Sequence, residues 1–218
     1  MPVSLTELHA RLYDYGGVLR VGKHPPGGRA CCALEFGAIM REQLWTDEPG
    51  DLPDIRPLND AFADDAERTR CLLPMVAAFW HWGSWGGTRQ RRFGVRVVLR
   101  TVQTLIAPLS SLSPALQQQC QTVSTCERVI EMMQDLTQDT VTPLRVCQAA
   151  KEAAIHALQG DAAQATTGAA RAAAEIAANT ASKDASTRVL RLACDEVWIR
   201  AARESEDSQW VKQIWERD

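Results

Sequence analysis

The sequence has little net charge, few aromatic residues and no long hydrophobic run. Its 24 basic and 27 acidic residues give a formal net charge of −3, without the basic surplus that general nucleic-acid-binding proteins usually carry. Because 45% of the residues are hydrophobic, a disordered chain is excluded. The longest nearly unbroken apolar run, Cys71 to Trp80, contains Pro74 and is far shorter than the about 20 residues that a membrane-spanning helix needs. We therefore expect a globular protein with no membrane partner.

The sequence also lacks a regular cysteine pattern. Seven cysteines are an odd number without regular spacing, which favours a reducing compartment over a disulfide framework. The first eleven residues show no basic region followed by an apolar stretch, so we expect no secretory signal and a cytoplasmic protein. Zinc around His24, Cys31, Cys32 and Cys71 is a weak alternative without a Cys-x-x-Cys unit, and we expect neither a metal nor another cofactor.

Helical signals cover most of the chain. Ser4 and Glu7 form a capping box, Asp64 and Asp161 are candidate helix caps, and Ser113-Pro114 and Thr142-Pro143 are typical helix starts. Helices are predicted over about 5–13, 30–44, 64–80, 89–107, 114–136, 143–158, 161–179 and 185–203. One strand-like piece, at 18–21, is the exception. The prediction is a single all-α domain over 1–218, a bundle of about seven or eight helices with a Gly/Pro-rich N-terminal loop region. Residues 1–110 form a loop-rich front, and 111–218 a helical scaffold.

About half of the residues between Ala149 and Ala181 are alanine. Alanine favours helices and lets neighbouring helices approach closely. Tight packing between helices is the main interpretation of this segment, and a face for a partner or for self-association is the alternative.

Two blocks of opposite charge stand out. Residues 42–67 contain nine acids and one base, whereas 89–100 contain five arginines and no acid. Three interpretations are open: the two blocks pair with each other, they form separate solvated faces, or one of them is a binding surface.

Candidate binding residues are tryptophans and arginines. Trp82 and Trp85 precede Arg89, Arg91 and Arg92, an arrangement that can stack single-stranded nucleic acid or can simply pack together. An apolar stripe at 208–216 near the C-terminus contains Trp210 and Trp215. These two side chains either pack in the core or contact a protein partner.

An enzyme would use Glu35, Asp47, Asp60 and His81 for acid–base chemistry. The sequence has no His-Glu-x-x-His, no phosphate-binding glycine loop and no Gly-x-Ser-x-Gly elbow, so no known catalytic motif supports these residues. Loop and cap roles explain Asp47 and Asp60 equally well.

A resemblance is carried by Cys32-Ala33-Leu34-Glu35, Trp45-Thr46-Asp47-Glu48-Pro49, Asn59-Asp60-Ala61 and Asp65-Ala66-Glu67-Arg68. With these motifs the chain resembles a family of uncharacterised proteins of bacteria, especially actinobacteria, and their phages, over roughly 24–200. The resemblance implies a shared site or scaffold around Glu35, Trp45, Asp47, Pro49, Asn59 and Asp60. Arg41-Glu42-Gln43-Leu44 replaces the family's Gly-Glu-Pro, so the resemblance does not predict a tight turn there.

These observations favour a protein–protein interaction module, with a regulatory or accessory role in a bacterium or phage. The partner would contact the acidic segment 42–67, the tryptophan loop at 80–87 or the C-terminal apolar stripe at 208–216. A small hydrolase-like enzyme using Glu35, Asp47 and Asp60 is the second hypothesis. A single-stranded nucleic-acid binder using residues 80–100 is the third.

Overall fold

A computed structural model describes residues 3–136 and 144–205, and all regular elements within them are helical, which confirms the all-α class. The front part contains α1 (Leu5–Leu12), α2 (Ala33–Met40), α3 (Arg56–Ala61), α4 (Asp65–Ala78) and α5 (Gly87–Arg100). The back part contains α6 (Pro114–Thr122), α7 (Cys126–Leu136), α8 (Leu144–Leu158), α9 (Ala162–Ala178), α10 (Lys183–Leu192) and α11 (Arg200–Glu204). Two 3-10 turns, Tyr13–Tyr15 and Trp82–Ser84, and two π-helical segments, Thr101–Ile106 and Ala193–Ile199, lie between them.

The predicted helix caps are confirmed, although of the Ser4–Glu7 capping box only the bond from Glu7 N to Ser4 Oγ is among the described hydrogen bonds. The side chains of Ser4, Asp64, Ser113 and Asp161 each accept a hydrogen bond from the backbone N–H three residues further on. These bonds satisfy donors that the first turn of a helix leaves without a partner. The predicted start at Thr142-Pro143 lies outside the described residues.

Several helix boundaries differ from the prediction. α2 begins only after Cys32, whose thiol accepts from Glu35 N, and it ends at Met40 rather than near 44. Residues 123–125 separate α6 from α7, so the prediction of a single helix over 114–136 is wrong, although its start at Pro114 is confirmed. The strand-like piece predicted at 18–21 is not a strand in the structure. It makes one backbone hydrogen bond of the kind found between strands, from Arg20 N to Cys31 O at 2.9 Å.

A tight turn does end α2, although the sequence has no glycine there. Glu42 adopts a left-handed conformation with φ 56°. Glu42 N donates to Ile39 O and Gln43 N donates to Ala38 O, at 2.9 and 3.0 Å. This is the Schellman pattern, in which glycine usually holds the left-handed position.

The alanine-rich segment forms the packed pair α8 and α9. Its alanines are largely buried, in agreement with the main interpretation of close helix packing. A Cβ on Gly168 would lie 2.9 Å from Ala153 Cβ and 3.1 Å from Ala149 O, so the two backbones meet at this glycine. α5 packs across this pair, and α7 and α10 flank it.

One buried apolar cluster extends from Leu8 on α1 to Ala202 on α11. It joins the loop-rich front to the helical scaffold. Of the helices described, none is long and apolar enough to span a membrane.

Candidate functional site

Glu35, the first predicted catalytic carboxylate, is fully buried and fastens the N-terminal loop to α2. Its Oε1 accepts from His24 N at 2.7 Å, and its Oε2 accepts from Cys32 N and from His24 Nδ1, both at 2.8 Å. His24 O in turn accepts from Trp45 Nε1 at 2.9 Å. Trp45, a predicted binding residue, is therefore half-buried and used in packing, with its ring 6.0 Å from that of Tyr15.

Asn59 and Asp60 hold the same loop from the other side. The buried Asn59 amide donates to Arg20 O at 3.1 Å and to Asp60 Oδ1 at 2.9 Å. Asp60 Oδ1 also accepts from Gly22 N at 3.1 Å. Asp60 thus acts as a backbone anchor in the structure.

A buried arginine completes this network. Arg68 on α4 donates from Nε to Asn59 O at 2.7 Å and from Nη1 to Leu19 O at 3.3 Å, and it also bonds Phe62 O and the Asp65 carboxylate. Backbone carbonyls from separate segments converge on one guanidinium, so Arg68 fixes how the loop, α3 and α4 meet.

The acidic block 42–67 is largely compensated by nearby groups. Asp47 pairs with Lys23 at 3.0 Å, which lowers the pKa of that carboxyl. Arg56 pairs with Asp54 and Glu48, and Glu67 pairs with both Arg70 and Arg191. These acids therefore pair with cations that lie outside the arginine block, namely Lys23, Arg56, Arg70 and Arg191.

Glu35, Asp47 and Asp60 thus each have a structural partner, and none of them lines the cavities described below. The enzyme hypothesis stays a prediction, without a shared pocket to support it.

The cysteines are buried and unpaired by disulfides. Burial raises the pKa of Cys31 and of Cys32 to about 12, so both remain neutral thiols at physiological pH. Within 3–136 and 144–205, no three His, Cys, Asp or Glu side chains come together as a metal site requires.

Trp82 and Trp85 belong to a buried aromatic cluster. Their rings lie 5.1 Å apart and contact Phe79 and Phe93, and Trp198 packs on the far side of both phenylalanines. Arg89 covers the Trp85 ring, with its Cζ 3.6 Å from the ring centroid. The two indoles are 6% and 7% exposed, which leaves little surface on which a base can stack.

Four arginines of the block line up along α5. Arg89, Arg92, Arg96 and Arg100 follow spacings of three, four and four residues, which place them on one helical face. The core-facing side of α5 carries Phe93, Val97 and Val98, and Phe93 directly adjoins the ridge because it lies four residues after Arg89. Arg91 points elsewhere, since its side chain packs beside Gly160. We call the four aligned residues the arginine ridge.

At its C-terminal end, the ridge borders a cavity of about 200 Å³. Arg96, Arg100, Gln103 and Val123 are among its lining residues, with Glu204 of α11 beside them. Arg100 pairs with the Glu204 carboxylate. Trp210 and Trp215, also predicted as binding residues, lie outside the described residues.

An open cleft of about 530 Å³ lies between the end of α2, Asp51 and the Trp82–Ser84 turn. Its lining residues are Arg41, Gln43, Asp51, Trp80, His81, Gly83 and Ser84. Of these, only His81 was a sequence candidate; the others carry no recognisable motif. Partial burial lowers the pKa of His81, and the cations Arg41 and Arg89 lower it further, so its imidazole is neutral at pH 7.

A second, apolar groove of about 570 Å³ lies between the Thr101–Ile106 segment and α10. Among the described residues that line it, none is titratable, so the groove offers no acid–base group.

Comparisons with protein-family models, with curated proteins and with solved structures gave no match to this chain.

Proposed function

We propose that this chain is a protein–protein interaction module that binds an acidic helix of its partner through the arginine ridge. The observation that carries the proposal is the alignment of Arg89, Arg92, Arg96 and Arg100 on one face of α5. A regulatory or accessory role in a bacterium or phage would be consistent with the resemblance described above.

The ridge suits a helical ligand by its length and spacing. Arg100 lies eleven positions after Arg89, which is about 16 Å along the axis at the rise of an α-helix. An acidic helix with carboxylates every three or four residues presents them at the same intervals. Guanidinium groups bind carboxylates through paired hydrogen bonds, which adds orientation to the electrostatic attraction.

The distribution of charge also favours the ridge over the acidic block. Several acids of 42–67 are engaged in ion pairs, such as Asp47 with Lys23 and Asp54 with Arg56. Arg92 and Arg96 are the two exposed residues of the ridge, whereas Arg89 stacks on Trp85 and Arg100 pairs with Glu204. Buried Trp82 and Trp85 lend little support to nucleic-acid stacking, so a protein ligand is the better fit.

The test is fluorescence anisotropy with a labelled helical peptide that carries four glutamates at the ridge spacing. We expect saturable binding that weakens as salt increases, because exposed charges are screened beyond about 10 Å at 0.1 M salt. The double variant Arg92→Glu/Arg96→Glu should weaken binding by at least about tenfold, since it replaces attraction with repulsion.

The matched control is Arg145→Glu/Arg188→Glu, which changes the net charge equally at exposed positions on α8 and α10. It should bind the peptide like the wild type. An equal loss of peptide affinity in both double variants would mean that net charge alone causes the effect, and it would overturn the proposal. Tighter binding of a labelled single-stranded oligonucleotide than of the peptide would also overturn it.

A further inference from the structure

The cleft beside α2 contains a cation and an anion that do not neutralise each other directly. Arg41 and Asp51 both line it, yet among the described ion pairs their side chains are not joined. Arg41 Nη1 instead reaches the backbone carbonyl of Asp51 at 3.5 Å. The Asp51 carboxylate accepts from the Gln43 amide. Both charges are therefore available to a third group.

Arg41 is held in a partly buried position that an anion would stabilise. Its Cζ lies 5.3 Å from the centroid of the Trp80 ring, which covers one side of the guanidinium. Its Nε is buried and has no hydrogen-bond partner among the residues that the structure describes. Burial lowers the pKa of Arg41, and the nearby Asp51 partly offsets this. A cation in such surroundings gains from a bound carboxylate.

Two glycines make room for the charged groups. A Cβ on Gly83 would lie 2.2 Å from Asp51 Oδ1, so only a residue without a side chain lets this carboxylate sit against the turn. A Cβ on Gly37 would lie 3.0 Å from Arg41 Nη2 and 2.4 Å from Leu52 Cδ1. These close approaches place the Asp51–Leu52 segment between α2 and the Trp82–Ser84 turn.

The backbone beside this cleft is strained at one residue. Glu42, at φ 56°, stands between the two cleft residues Arg41 and Gln43. A left-handed conformation is unfavourable for a residue with a side chain, and such strain clusters at ligand sites.

We propose that this cleft binds a small zwitterion of the α-amino-acid type, with its carboxylate on Arg41 and its ammonium group on Asp51. The two side chains offer opposite charges within one cavity, and Trp80 forms an apolar wall behind the guanidinium. Ser84 Oγ, which donates to His81 O at 2.8 Å, and the neutral His81 ring supply polar groups at the rim. The cavity of about 530 Å³ is within the usual size of small-molecule sites.

Saturation-transfer NMR followed by calorimetry tests this site on the full chain. The probes are the common free L-amino acids, with acetate and ethylamine as molecules that carry one charge each. At least one amino acid should bind saturably, and both single-charge molecules should bind at least about tenfold more weakly, since each uses one of the two contacts. Arg41→Gln and Asp51→Asn should each raise the Kd of that amino acid at least about tenfold.

The matched controls are Arg29→Gln and Asp14→Asn, exposed residues outside the cleft that should leave the Kd unchanged. If Arg41→Gln fails to fold, Asp51→Asn decides the test, because Asp51 lies in a half-buried loop. Acetate binding as tightly as the amino acid, with no effect of Asp51→Asn, would make this a simple anion site and overturn the proposal. The absence of any saturable binding up to about 10 mM would overturn it as well.

Discussion

Replacing Glu35 with glutamine tests whether this buried carboxylate has a structural role. Glutamine keeps the size of the side chain but turns one oxygen into an amide group that donates. Placed at the Oε2 position, its oxygen still accepts from Cys32 N and His24 Nδ1. Its amide nitrogen then faces His24 N, 2.7 Å from the present Oε1, and two donors oppose each other.

The cost follows from those three contacts. A buried donor left without an acceptor costs about 1–3 kcal/mol, and the two remaining bonds lose the strength that a charged acceptor gives. Together these effects predict a loss of about 3 kcal/mol in the free energy of unfolding. For a chain of this length that corresponds to a decrease in Tm of about 6–12 °C.

Urea unfolding gives the stability change, and hydrogen–deuterium exchange gives its location. In Glu35→Gln the amides of residues 20–32 should exchange faster, while those of α8 and α9 keep their order of protection. The control is Glu48→Gln, because the exposed Glu48 side chain pairs with Arg56 at 3.5 Å. This substitution should change the free energy of unfolding by less than about 1 kcal/mol. A Glu35→Gln protein as stable as the wild type, with unchanged exchange, would refute the structural role and favour the catalytic hypothesis.

Three further predictions concern the turn, the helix packing and the thiols. Glu42→Gly should stabilise the fold by about 1 kcal/mol, because glycine accepts φ 56° without strain; a lower urea midpoint would contradict this. Gly168→Ala should destabilise it by about 2–3 kcal/mol through the clash with Ala153, while Gly87→Ala, where a Cβ meets open space, should change it by less than about 0.5 kcal/mol. Equal unfolding midpoints for these two variants would argue against the tight α8–α9 contact. All seven buried cysteines should react slowly with a disulfide reagent in the native protein and completely in guanidinium, whereas rapid native reaction would contradict their burial.

The helix starts were predictable because their signals are local. Ser4, Asp64, Ser113 and Asp161 each satisfy a backbone donor three residues away, and the sequence alone contains that pattern. The left-handed turn at Glu42 was not predictable, because its stabilising bonds reach back to Ile39 and Ala38 without a glycine to mark them. The break at 123–125 has one local signal, because Thr125 Oγ1 accepts from Arg128 N at 3.3 Å as a helix cap does. The prediction missed it because neither proline nor glycine interrupts the apolar stripe.

The candidate site was predictable only residue by residue. Glu35 was recognised as a notable carboxylate, but its burial beneath His24 and Cys32 depends on how the preceding glycine-rich loop folds back onto α2. The Arg41–Asp51 cleft depends on close approaches at Gly37 and Gly83, which belong to separate segments of the chain. The spacing of residues along the sequence does not indicate which glycines are approached closely by another segment of the chain.

A charge-swap titration tests the proposed function most directly. The double variant Arg92→Glu/Arg96→Glu is titrated with the acidic peptide and with a second peptide in which lysines replace the glutamates at the ridge spacing. We expect the variant to lose binding of the acidic peptide and to gain binding of the lysine peptide, while the wild type shows the opposite preference. A variant that binds the acidic peptide as the wild type does would contradict the arginine ridge as the binding surface.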